Sequence, residues 1–300
     1  MRALITGGGG FVGRHLHAHL ATKGDDVTSV DRECDVTDLD AVRGVISATR
    51  PDVVYHLAAL THVGDSWINP SEFTRVNVLG TKIVLDAARA VVPDASVILV
   101  SSSEVYGVVQ EQDLPLHETF RTAPANPYSS SKLEAERFAK EAHRGTGQRV
   151  IIARPFNHVG PGQSTRFLVP GLVSRLFEAY DAGRSEIGVG DLTTRRDFSD
   201  VRDVVRAYRL LCLHGRGGEV YNVASGHDVA VLDIAHQLRD EIAPAIGLVV
   251  DPALLRPVEV PVTRGNFDKI HEATGWEPEI VLSTSLRDVV EDFRLSREQR

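Results

Sequence analysis

Cysteine is nearly absent from this chain of 300 residues: Cys34 and Cys212 are far apart and in no CxxC spacing. That excludes a disulfide framework and a structural zinc site built on paired cysteines. No apolar run approaches the roughly 20 residues that cross a bilayer as a helix, so a membrane is not expected as a partner. Positive charge is in deficit, with 33 Lys and Arg against 41 Asp and Glu and a formal net charge of -8, so nucleic acid is not an expected partner either. Repeats, low-complexity segments and disordered linkers are also missing. The remaining composition, 42% hydrophobic and 25% charged, is that of a globular protein long enough to bury a substantial core in one large or two modest domains. The first strand-like run starts at Arg2, ahead of any secretory leader pattern, and the expected compartment is the cytoplasm.

What the chain does have begins at its amino end. Residues 2 to 6, RALIT, form a short apolar run of strand character, and Gly7 to Gly10, Phe11, Val12 and Gly13 follow at once. In the pattern T-G-x-x-G-x-x-G, met here as Thr6, Gly7, Gly10 and Gly13, the first two glycines let the backbone approach a pyrophosphate at a helix N-terminus. Unpaired N–H groups favour anions there. Gly13 lets helix and sheet pack closely. A second apolar run, Val27 to Val30, ends in Asp31 roughly twenty residues on, where a carboxylate accepts both hydroxyls of an adenosine ribose. Four glycines alone are an ordinary turn; strand, helix and terminal acid in register make a dinucleotide site the better reading.

Strand and helix signals then alternate through the first half: DDVTSV, a helix over 37–49, DVVYHLAA, a long helical stretch over about 70–91, SVILVSSS, a helix around Tyr128, and VIIARP. Such alternation predicts an α/β fold, a doubly wound Rossmann-type parallel sheet with ligands at the carboxyl ends of its strands. Gly7, Asp31, Ala58, Ser102 and Asn157 all fall at those ends. From Asn157 onward the texture changes to a Gly- and Pro-bearing loop, shorter helices and isolated strands such as GEVYNVA. The expected organisation is a dinucleotide-binding domain over 1–155 and a smaller, mainly substrate-binding lobe over 156–300, with some segments returning to the first domain.

Within NPYSSSKLEAERFA, Tyr128 and Lys132 share a helix face at i and i+4. The ammonium of Lys132 beside the phenol of Tyr128 favours the phenolate, which makes tyrosine usable as an acid/base group near neutrality. Ser102, in the serine run that ends SVILV, offers a third hydroxyl. Arg196 and Arg256, in loops or element ends of the second half, carry the planar charged fork that suits phosphate.

TGGGGFVG, HLAA, SSSEVYG and YSSSK together resemble the extended short-chain dehydrogenase/reductases that act on nucleotide sugars, over nearly the whole chain. The resemblance implies Ser102, Tyr128 and Lys132 as the catalytic set, with Lys132 also holding the nicotinamide ribose. Asp35 and Val36 then contact adenine, Leu57, Ala58, Ala59 and Pro155 join Gly7, Gly10, Phe11, Val12, Gly13 and Asp31 around the cofactor, and Asn77 is the family's structural asparagine. A homodimer built from two helices per subunit is also implied.

RPFNHVGPGQ, RRDFSDVRDV, YNVASG, LLRPVEVP and TGWEP are similar to the GDP-6-deoxy-4-keto-mannose reductases, which make GDP-rhamnose, and more distantly to GDP-mannose 4,6-dehydratases. On that pattern Asn157, Arg196 and Arg256 hold the diphosphate, Glu259 accepts the nucleotide ribose hydroxyls, and Phe167, Leu168 and Val169 contact the base. Glu104 matches the dehydratase base. One departure is that Asp31, followed by Arg32, stands where that reductase pattern carries a small residue and an arginine for a 2′-phosphate. The cofactor expected is therefore NAD rather than NADP. The expected activity is reduction of the C4 carbonyl of a GDP-4-keto-6-deoxyhexose, the alternative being a GDP-hexose epimerase, dehydratase or ring-interconverting enzyme that keeps its NAD. A catalytically idle NAD(H) sensor is the reading from a different class, and the intact Ser102, Tyr128 and Lys132 set argues against it.

Overall fold

The structure, a computed structural model, describes residues 1–255 and 260–298. Its centre is a six-stranded sheet formed by β1 (Arg2–Thr6), β2 (Asp26–Val30), β3 (Val53–His56), β4 (Ser96–Val100), β5 (Val150–Pro155) and β9 (Val220–Val223), in the order β2-β1-β3-β4-β5-β9. Every pairing is parallel. VVYH and VIIARP are buried along their whole length and SVILV nearly so, as strands covered on both faces must be.

Alternate residues of these strands feed two cores. Ala3, Ile5, Val53, Tyr55, Ile98 and Ile151 face α1 (Phe11–Thr22) and α8 (Val201–His214). Leu4, Val54, Val97, Leu99 and Ile152 face the opposite way, toward α2 (Leu39–Thr49), α5 (Gly80–Val91) and α6 (Pro127–Thr146). The period of two along each strand sets this division. Right-handed crossovers through those helices leave all the strand carboxyl ends on one edge.

Helix starts place the chemistry. Asn126 caps α6, accepting from the Ser129 N–H at 2.8 Å, while Ser129 Oγ takes the Asn126 N–H. Pro127 supplies the preset φ of the first helical position, so Tyr128 stands in the opening turn. The long helical stretch expected over 70–91 is broken in character: α4 (Pro70–Phe73) runs into a π-helical turn over Thr74–Leu79 and then into α5. That wider turn carries the buried Asn77.

The second lobe has a core of its own, in which Val159, Leu172, Val173, Leu176, Ile234, Leu238, Leu286 and Val290 meet. It is built on β6 (Asn157–Val159), α7 (Leu168–Asp181), β7 (Glu186–Val189), β8 (Arg195–Asp200), β10 (Asp228–Ala230), α9 (Val231–Ile242), β11 (Gly247–Val250) and α11 (Leu282–Glu298). The VYNV segment, expected among isolated strands of that lobe, is instead β9 of the main sheet. Its four residues are buried on both faces, and a place at the β5 edge of the main sheet satisfies them. No helix among the described residues is long and apolar enough to cross a membrane.

The chain returns to the dinucleotide side once more, through α10 (Asp268–Thr274) and Trp276. Trp276 is fully buried in the same core as Ile5 and Tyr208, and its indole N–H donates to the Asp203 carbonyl at 3.0 Å. Trp276→Ala is expected to cost about 3 to 5 kcal/mol, by cavity formation and loss of that hydrogen bond. Urea unfolding measures it; a loss under about 1 kcal/mol would detach this segment from the cooperative core.

Candidate active site

At the carboxyl edge of the sheet, Gly7 has φ +73°, and a Cβ there would lie 2.7 Å from the Ala58 nitrogen. A side chain at Gly13 would strike the Gly7 carbonyl and the Gly8 backbone. Gly13 is thus required by the loop itself as well as by helix packing. Gly10 caps α1 with no side chain, and the first turn, which includes Phe11 and Val12, carries no acid. Its amino end is left open and positive, which suits a pyrophosphate.

The Asp31 carboxylate lies against Gly9, and the Asp31 N–H donates to Glu33 Oε1 at 2.8 Å. Asp35 accepts from the Thr37 N–H and hydroxyl at 2.9 and 2.8 Å, bonds that hold its carboxyl below the usual range. Val36 packs where Gly80 has no side chain. Leu57 and Ala58 continue β3 beside the loop, with the Leu57 N–H donating to the Thr6 carbonyl at 3.1 Å, and Pro155 closes β5.

Ser102 and Tyr128 are both buried, at 8% and 7% exposure, so the polar groups that meet here are largely withdrawn from water. Burial pushes the Tyr128 phenol up to about 12, opposed by hydrogen bonding with Ser102 and reinforced by the charge of Glu104. The phenol is therefore protonated at neutral pH. Burial pushes Lys132 down to about 8, and Glu136 opposes that shift. Lys132 Nζ donates to the Val100 carbonyl at 2.8 Å. The spacing that sets Lys132 beside Tyr128 is only part of its setting: one of its N–H groups goes to the carbonyl at the end of β4, and burial, Ser102 and Glu104 act on the phenol. Glu104 itself takes the Asn126 side-chain N–H at 3.2 Å, which ties it to the start of α6.

In the second lobe Asn157 opens β6, where it pairs with Phe198 of β8, and Arg196 lies in β8. Phe167 caps α7 and is partly exposed, whereas the Val169 side chain is committed to the lobe core, leaving only its backbone for a ligand. Leu168 lies between them at the first helical position. Arg256 and Glu259 lie outside the described residues. A clasp not foreseen from sequence crosses the cleft: Arg166 donates to both oxygens of Asp65 at 2.7 and 2.8 Å, and His62 packs edge-on against Phe167. His158 Nδ1 lies 3.0 Å from the Phe156 carbonyl and its ring stacks on Phe11.

The profile of the NAD dependent epimerase/dehydratase family matches residues 3–224. The chain belongs to that family. Over 297 residues it is 38% identical to GDP-6-deoxy-D-mannose reductase of Pseudomonas aeruginosa, covering 97% of each chain. The structure of RMD from Pseudomonas aeruginosa complexed with NADPH superposes with a TM-score of 0.91 at 35% identity, covering 99% of this chain and 100% of that one. The Thermus thermophilus UDP-glucose 4-epimerase complex with NAD gives 0.88 at 26% identity, covering 98% and 99%. The fold is the Rossmann-type α/β arrangement of these enzymes, and a nicotinamide dinucleotide is the family's cofactor.

One part of this epimerase/dehydratase site was hidden in the motif HLAA. His56 is buried, with Nδ1 2.7 Å from Thr6 Oγ1 and Nε2 3.1 Å from Thr81 Oγ1. Thr81 gives its own proton to the Asn77 carbonyl at 2.6 Å, so Nε2 carries the ring hydrogen and Nδ1 accepts. Asn77 brackets the Leu60 backbone and donates to Ser131 Oγ at 2.9 Å. A continuous chain of bonds thus joins β1 to α6. Its signal in sequence is a polar residue ending an otherwise apolar strand, but its partners are 25 to 50 residues distant.

Burial pushes His56 down to about 3. A base whose folded value is depressed is protonated first in the unfolded chain, so stability is lost as pH falls below about 6.5 toward 3. Between pH 7 and 5 the expected loss from His56 is about 2 kcal/mol. Urea titrations of wild type and His56→Asn at the two pH values test this: the gap between them should narrow by that amount at pH 5, and a constant gap would mean His56 titrates alike in the folded and unfolded chain.

Proposed function

We propose that this chain reduces the C4 carbonyl of a GDP-4-keto-6-deoxyhexose, GDP-4-keto-6-deoxy-mannose, with NAD(H) as the redox partner. The observation that carries the reading is similarity along 97% of the chain to a GDP-6-deoxy-D-mannose reductase. The buried Ser102, Tyr128 and Lys132 set supports it. When bound, the nicotinamide supplies the hydride. Ser102 and Tyr128 hydrogen-bond the carbonyl oxygen, and Tyr128, protonated at neutral pH, gives its proton as the alkoxide forms. Lys132 spends one N–H on Val100; its other two suit the nicotinamide ribose hydroxyls, and its charge offsets the phenolate left behind. Asn157, Arg196 and Arg256 are assigned to the diphosphate and Glu259 to the nucleotide ribose.

The finer assignment of the cofactor rests on the end of β2. Asp31 lies against the glycine loop with Glu33 bonded to its N–H, so two carboxylates gather at the end of β2, the end assigned to the adenosine ribose. Both would repel a 2′-phosphate. The structurally similar RMD was solved with NADPH, and Arg32, exposed beside Asp31, is the side chain that would have to turn inward to hold such a phosphate.

Supplying the 4-keto sugar nucleotide with NADH and, separately, NADPH tests both assignments. The expected result is stoichiometric oxidation of NADH with formation of a GDP-6-deoxyhexose, and an affinity for NADH at least about tenfold above that for NADPH, about 1.4 kcal/mol. Equal affinities would overturn the argument from Asp31. A protein that carries near-stoichiometric NAD and isomerises a GDP-hexose without added reductant would replace the reductase by the reading without net redox change, which tightly held NAD favours.

A further inference from the structure

Tyr128, Lys132 and Glu136 lie at four-residue intervals on α6, so successive turns present them on one face. The end of β4 meets them with three consecutive residues. The Val100 carbonyl accepts from Lys132 Nζ at 2.8 Å, the Ser101 hydroxyl donates to Glu136 Oε1 at 2.6 Å, and the Ser102 hydroxyl stands near enough to Tyr128 to act on its phenol. Glu136 has no exposed surface, and Arg154 of β5, 2% exposed, grips it with both arms: Nε to Oε1 at 2.8 Å and Nη2 to Oε2 at 2.7 Å. The Arg154 guanidinium in turn lies 4.9 Å over the Tyr106 ring.

A buried ion pair is poorly explained by stability alone, because apolar residues of equal volume commonly serve the fold as well or better. The position of this one is informative. Around the Lys132 ammonium, β3 contributes His56, which is neutral, and α6 contributes Tyr128 and Glu136. Glu104 faces Tyr128 from the turn at 103–106, while Arg154 and Lys140 stand behind Glu136. Glu136 is thus the carboxylate that favours a charged Lys132.

We infer that Glu136, held by Arg154 and Ser101, is a positioning residue: it locks α6 in register with the end of β4 so that Tyr128 meets Ser102, and its charge keeps Lys132 protonated in a dry site. This rests on Tyr128 and Lys132 being the pair that handles the proton. Burial already brings Lys132 down to about 8, so little further loss is needed to discharge it at neutral pH.

The test combines two readouts. NMR of protein carrying ε-13C lysine titrates Lys132 without any substrate, and the pH profile of kcat follows turnover. In wild type the Lys132 titration and the fall of reductive kcat should coincide near pH 8. Glu136→Gln should move both lower by about one unit and cut kcat at pH 7 on the order of tenfold, with KM for the sugar nucleotide nearly unchanged. Glu136→Asp, which keeps the charge and shortens the reach, should restore the Lys132 titration while kcat stays reduced. A folded Glu136→Gln with unmoved titration and kcat overturns the inference. If that variant does not fold, Glu136→Met combined with Arg154→Met removes both buried charges together and must still lower the titration; an unmoved value there overturns it equally. Tyr128→Phe, run alongside, separates the layers: near-normal kcat in that variant removes the underlying reading of the site, whereas its inactivity beside a wild-type-like Glu136→Gln removes only the role of Glu136.

Discussion

The chemistry of this protein depends on how the end of one strand meets one helix. β4 is an apolar strand buried in the middle of a parallel sheet, and it stops at Val100 with the next residues, Ser101 and Ser102, turned toward α6. A carbonyl and a hydroxyl in succession pair with Lys132 and Glu136 on successive turns of that helix, and Ser102 follows beside Tyr128. Because each contact is to a group withdrawn from water, a shift of α6 by even part of a turn would leave polar atoms unpaired, at a cost of about 1 to 3 kcal/mol each. The alignment of Ser102 with Tyr128 is therefore enforced by burial, and the asparagine cap and Pro127 start the helix at the right residue to exploit it.

The same burial sets the protonation states. It raises the Tyr128 phenol and depresses both Lys132 and His56, each away from its charged form. A tyrosine that holds its proton is prepared to donate, which agrees with reduction as the forward reaction, while a lysine near neutrality needs a nearby carboxylate to remain an ammonium. His56, kept neutral, serves as a connector between β1 and the start of α5 rather than as a charge. Asp197 is buried too, its carboxyl pushed up by that burial, and it accepts from Ser225, Gly226 and Gly265, binding separate loops together.

How much of this could be read in the amino-acid order depended on range. The glycine loop and the Tyr128–Lys132 spacing are written within a dozen residues or fewer, where backbone sterics and helix periodicity suffice. Asp31, at the end of the next strand, was equally plain. Glu136 sits in the same helix and on the same face, but its meaning lies in Arg154 and Ser101, which only the parallel pairing of β4 with β5 brings near. Lys132 illustrates the limit as well: local spacing aims it at Tyr128, and only the tertiary structure shows the Val100 carbonyl that takes one of its N–H groups. The Asp65–Arg166 clasp spans 101 residues and has no periodic signature at all. β9 was displaced from its expected lobe because a four-residue apolar strand carries no label saying which sheet it joins.

The central claim is that one buried face delivers a proton to an oxygen whose carbon receives hydride. NADH deuterated at C4, prepared as each of its two epimers and offered with the proposed 4-keto sugar nucleotide, tests it at the reacting atom by mass spectrometry and NMR of the product. The account predicts deuterium on the sugar C4 from one epimer and from neither solvent nor the other. Product lacking the label from both, or carrying solvent deuterium at that carbon, would contradict it.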